Sequence, residues 1–286
     1  MASLKEVKGR IASVNNTRKI TSAMKMVASA KLHKAQAAIE NMLPYERRLN
    51  HILTNFLSAD SEVESPFIVK REVKRVAIVV FASNTSLCGG FNANIIRHLT
   101  VILDEYKSLG MENVLLYPVG RKVAEGVKKL GFKAEGDFQH MADKPSYQEA
   151  AALAEDLMRR FLHRDIDKVE LLYNHFRSTA VQVLTRETYL PIDLTQEKKE
   201  EDKGRIPDYI VEPSVDVVMG ELLPKVLRMK MFTVLLDSNA SEHAARTMAM
   251  QIATDNANDL LQDLTVMYNK LSLIHISEPT RRSYIS

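Results

Sequence analysis

Cys88, Gly89 and Gly90 stand between an apolar run and a helix-like stretch. A strand, a glycine-rich turn and a helix N-terminus can hold a phosphate, because the free N–H groups of the first helical turn point at the anion. Neither full fingerprint, GxGxxG or GxxxxGK[ST], is present, so the glycine pair reads better as a tight turn. Cys88 would need a neighbouring base to act as a nucleophile, and the sequence names none; it reads as a small buried apolar side chain. The eight histidines are scattered, with no two inside one helical turn, and no Cys or His cluster has ligand spacing. No pair of carboxylates stands out as acid and base. The residues therefore offer no catalytic constellation and no cofactor site.

The other chemical feature is charge. "TRKITSAMKMVASAKLHKA" (Thr17 to Ala35) carries Arg18, Lys19, Lys25, Lys31 and Lys34, and no Asp or Glu occurs between Glu6 and Glu40. A formal net charge of +3 is too small to point to nucleic acid, so only the distribution is informative. Such a helix suits a DNA-binding basic region, a coiled-coil adaptor, or a protein partner with acidic surfaces. Arg is sparse for a groove reader, which favours an acidic partner. A basic, acid-poor N-terminus also describes an organelle leader. Here, however, apolar periodicity starts at Leu4 and runs past Glu40.

The elements that must present this charge fall into three segments. In residues 1–57, Leu4, Val7, Ile11 and Val14, then Ile20, Met24 and Val27, then Leu32, Ala35, Ile39 and Met42 recur at helical spacing, interrupted only by Gly9 and Pro44. A helix of that length reaches roughly 80 Å and needs a partner helix. Residues 208–270 supply one, with small residues in "DSNASEHAARTMAMQIATDNAN" where a zipper has Leu. The expectation is an antiparallel coiled coil between the chain ends, with a plain hairpin bundle as the alternative. Pro224 is expected to kink the second helix or begin a new one.

The middle segment, 74–205, changes period. "VAIVVFA" and "VLLYPVG" read as strands, and each is followed by a helix, the first expected to end at Gly110. Ser146 and Glu149 form a capping-box pattern for a helix reaching about His163. "KVELLYNHF" and "VQVLTRETY" read as an antiparallel hairpin, and Gln196–Arg205 as a charged linker. The fold class is thus α/β: a Rossmann-like mixed sheet inserted between two long terminal helices. The single cysteine excludes a disulfide framework, and the longest apolar run is far short of the ~20 residues of a membrane span.

Several long segments resemble the gamma-subunit family of F-type ATP synthases. They are "RIASVNNTRKITSAMKMVASAKLHKA", "SLCGGFNANI", "DYIVEPS" and "SEHAARTMAMQIATDNANDLLQDLTVMYNK", in family order. The start "MASLKEVKGRI" resembles the bacterial form. The resemblance implies a non-catalytic rotor shaft inside a ring of alpha and beta subunits, on the cytoplasmic face of the bacterial membrane. It implies no cofactor, no nucleic acid and no membrane span. Arg18, Lys19, Met24, Lys25, Met26, Arg246 and Met250 are implied to meet the beta subunits. Leu87, Cys88, Gly89, Gly90 and Asn92 are implied to belong to a foot near the epsilon subunit and the c-subunit ring. After Lys270 the family continues as a helix, whereas "LSLIHISEPTRRSYIS" lacks the stripe; residues 271–286 resemble a cloning artefact and are expected to replace the family's tip.

Overall fold

The computed structural model describes residues 3–59, 65–192, 212 and 215–283; the side chains of residues 50, 54–59, 215–216 and 274–283 stay outside the description. Helix α1, Leu4–Ala59, is 56 residues long, or about 84 Å. Its N-terminus is capped by Ser3, whose hydroxyl accepts the Glu6 N–H at 3.2 Å. Then come β1 (Val76–Phe81), α2 (Phe91–Glu105), β2 (Val114–Val119), α3 (Arg121–Lys129), α4 (Gln139–Asp143), α5 (Tyr147–Leu162), β3 (Lys168–Phe176) and β4 (Gln182–Leu190). The last element, α6, runs from Val215 to Ser283.

The two long helices pair antiparallel. Arg18 reaches Asn258, Thr21 meets Thr254 at 2.9 Å, and Leu32 and Ala35 pack with Ala240 and Ala244, so numbers fall along α6 as they rise along α1. Alanines at the seam let the backbones approach closely and bury little area per residue. Pro44 and Pro224 lie inside unbroken helix, so Pro224 does not begin a new one. The carbonyl that Pro224 leaves without a partner belongs to Gly220, an exposed residue with open space where a Cβ would stand, so water can satisfy it. Nor does the helix end at Lys270: α6 continues to Ser283.

The sheet has the order β2-β1-β3-β4, with β1 parallel to both neighbours and β3–β4 antiparallel. The mixed sheet and its hairpin agree with the sequence reading. Two details differ, and a third expectation falls outside the description. Helix α2 ends at Glu105, short of Gly110, where Tyr106 turns its hydroxyl onto Glu170 at 2.7 Å. Ser146 makes no side-chain cap, and the Glu149 carboxylate, which a capping box would turn back to the Ser146 N–H, meets His140 at 3.1 Å instead. The linker Gln196–Arg205 and the entry "DYIVEPS", apart from Glu212, lie outside the described residues.

Alternation along β1 divides the core. Val76, Ile78 and Val80 face α2 and α3, while Ala77, Val79 and Phe81 face α5 and α6. The second side joins Leu49 and Leu53 of α1, Leu157 and Phe161 of α5 and Leu223, Leu227 and Val234 of α6 in one cluster. Insert and rod therefore share a core.

Candidate functional site

An open α/β sheet binds ligands at the carboxyl ends of its strands, where the strand order reverses. In this sheet that point lies between β1 and β3, and α6 fills it. Ser241 donates to the Asn174 carbonyl at 2.8 Å; Asp237 accepts the Phe176 N–H at 2.7 Å and meets the His175 ring at 2.6 Å. A long helix thus lies across the crevice in which a nucleotide would sit.

The expected residues come together at one level of the rod. The loop after β1 folds back through Asn92, whose side-chain oxygen accepts the Ser83 N–H at 3.1 Å and whose amide donates to the Ser83 hydroxyl at 2.8 Å. Cys88 is buried against Asn92, Leu87 is exposed at φ +67°, and Gly90 caps α2. Gly89 sits at φ +60°, and a Cβ there would stand 3.9 Å from Ala249, in ordinary contact with α6. Arg246 donates to the Thr85 hydroxyl at 2.7 Å and to Glu242, also at 2.7 Å. Leu87, Cys88, Gly89, Gly90 and Asn92 therefore form a shoulder beside Arg246, where the insert's contacts with α6 end and the free helical pair begins. The opposite end of the insert lies near Tyr189, whose hydroxyl donates to the Leu227 carbonyl at 2.8 Å.

Beyond the shoulder the two helices run on without cover. Met26 is 65% exposed, with Ile20 and Val27 beside it on α1 and Ile252 and Leu260 on α6. Lys19 is exposed, and Arg18, Met24 and Lys25 are half-buried. Among the described residues, Arg18, Lys19, Lys25, Lys31 and Lys34 make no ion pair. Met250 is buried at 4% exposure.

Behind Arg246 lie two buried titratable groups. Burial raises the Glu242 carboxyl, and Arg246 only partly offsets this. Burial also pushes the His243 imidazole down to about 4, with Arg246 and Lys31 adding to the effect. Thr85, Glu242 and His243 were not singled out from sequence. The Glu242–Arg246 pair had a readable signal, an acid and a base four residues apart on one helix.

The ATP synthase family model matches residues 3–276. The chain is 65% identical over 271 residues to an ATP synthase gamma chain from Bacteroides fragilis, covering 94% of this chain and 93% of that one. The chain belongs to the ATP synthase gamma-chain family. A gamma chain from Parabacteroides distasonis is 49% identical over 270 residues, again covering 94% and 93%. The fold is also similar to a chain in the central stalk and c-ring structure of the Tetrahymena thermophila mitochondrial ATP synthase. There the TM-score is 0.61 at 24% identity, with 82% of this chain and 99% of that one covered. A chain of the Euglena gracilis mitochondrial enzyme gives 0.66 at 20% identity, covering 98% and 92%. As a gamma subunit, this is the central-stalk rotor of the synthase, and catalysis resides in the beta subunits. No described helix is long and apolar enough to cross a membrane.

Proposed function

We propose that the uncovered end of the α1–α6 pair turns inside the ring of alpha and beta subunits, with the shoulder at its entrance. The opposite end of the insert then faces the epsilon subunit and the c-subunit ring, at the cytoplasmic face of the bacterial membrane. Proton flow turns the c-ring and the shaft, and the shaft presents a different face to each beta subunit as ATP is made; hydrolysis runs the cycle backwards. The observation that carries this reading is one surface that is both apolar and cationic and that finds no cover within its own chain. Large exposed apolar patches mark places where another protein sits.

The physics suits a bearing. An exposed ion pair is worth only ~0–1 kcal/mol. Coulomb attraction falls off gradually with distance. A row of cations can therefore slide past acidic neighbours without locking onto one of them. Alanine at the seam keeps the rod thin, and Arg246 ties it to the shoulder so that insert and rod turn together. In membrane vesicles carrying the full synthase, Lys25→Glu should weaken proton-driven ATP synthesis. Normal coupling in that variant would sink the electrostatic part of this reading.

A further inference from the structure

Away from the shoulder, α1, β3 and α6 enclose a cleft of about 400 Å3, the size of a small-molecule site. Its apolar wall comes from Ile39 and Leu43 of α1, Phe176 of β3 and Val234 of α6. Its charged side is unbalanced. Glu46 lines the cleft together with Lys230 and Asp237, and its electrostatic neighbours are Lys230, Glu187 and Asp237. Lys230 already bonds Glu187 at 2.8 Å, and Asp237 already holds His175 and the Phe176 N–H. Glu46, Glu187 and Asp237 thus share the Lys230 ammonium, while the cleft's second cation, Arg177, is exposed and is not among the electrostatic neighbours of Glu46. Burial raises the Glu46 carboxyl, Glu187 and Asp237 add to this, and Lys230 and the Thr233 hydroxyl offset it in part. A cation delivered to that carboxylate would relieve the imbalance, and an apolar body attached to the cation would cover the wall.

We propose that this cleft is a binding site for a small organic cation, an ammonium on an apolar stem, with Glu46 as its counter-ion. The ligand would touch both long helices and the β3–β4 hairpin at once, and so would clamp the base of the rod to the insert.

The test compares phenethylammonium with phenethyl alcohol, the same body without the charge, by ligand-observed NMR titration of the purified full-length chain. The ammonium should bind at least about tenfold more tightly, a difference of about 1.4 kcal/mol. Glu46→Gln should erase that preference, while Glu40→Gln, at the rim, should keep it. Equal binding of the two probes, or an undiminished preference in Glu46→Gln, overturns the proposal. If Glu46→Gln loses its helical circular dichroism, Val234→Phe asks the same question by filling the cleft. Loss of ammonium binding in that variant supports the site, and unchanged affinity overturns it.

Discussion

Arg246 of α6 donates to the hydroxyl of Thr85, 161 residues away in sequence, at a distance of 2.7 Å. The same guanidinium also holds Glu242 one turn back along its own helix. One side chain therefore joins the turning helix to the loop that closes the top of the sheet.

Removing that side chain should loosen the shoulder before it loosens the core. Arg246→Ala is expected to raise amide exchange across 85–92 and to cost about 1–3 kcal/mol in urea unfolding, because Glu242 stays buried without its partner. Unchanged exchange in the loop would mean that Gly89 and Asn92 hold it alone.

Glycine is required where the ends of β1 and β2 meet. Gly120 sits at φ +110°, and a Cβ there would lie 2.2 Å from the Ala82 carbonyl oxygen. That atom is backbone in a buried strand end, so it has little room to give. Gly120→Ala should cost about 2–4 kcal/mol or prevent soluble expression. The check is thermal unfolding of the full chain beside Gly110→Ala, which has positive φ but open space and should lose less.

The strands and both long helices were legible because their apolar periods are long and uniform. Their junction was not. No periodicity tells that Leu153 of α5 and Leu227 of α6 share one core, or that α6 lies across the sheet's ligand crevice, since those contacts join residues far apart in sequence. Charge was read well along α1, where an absence of acids shows in one helix. It was read poorly at Arg246, whose partner Thr85 is a neutral loop residue.

The pH response should carry the mark of His243. Its folded-state value of about 4 lies below the 6.5 of an unfolded histidine, mainly through burial. Between those values the unfolded chain binds a proton that the folded chain refuses, so stability rises with pH across the window and is lost as pH falls from 6.5 toward 4. Glu242, raised by burial, acts in the opposite sense above the ordinary carboxylate range, but it is present in both proteins compared. His243→Leu should therefore flatten the acid-side decline by on the order of 2 kcal/mol. Parallel stability–pH curves for the two proteins would show that the histidine is hydrated.

The far edge of the sheet depends on a satisfied carboxylate. Glu170 accepts bonds from Lys168 at 2.6 Å, Arg186 at 2.9 Å and Tyr106 at 2.7 Å. Burial alone would raise its carboxyl, but these donors hold it below the usual range. Glu170→Ala leaves two cations beside a gap and should cost about 2–4 kcal/mol. Glu170→Met, which keeps volume, should cost no less while Lys168 and Arg186 remain. Recovery in the triple variant that also neutralises both cations would confirm the cause, measured by denaturant midpoint.

Rotation itself is the most direct test of the central claim. The full chain, bearing Lys107→Cys on the exposed side of the insert, would be assembled with alpha, beta and epsilon subunits, the ring fixed to a surface and a bead attached to the new thiol. The account expects the bead to turn in one direction on addition of ATP, and the chain alone to show no turnover. A static bead on a hydrolysing ring, or ATP turnover by the isolated chain, would contradict it.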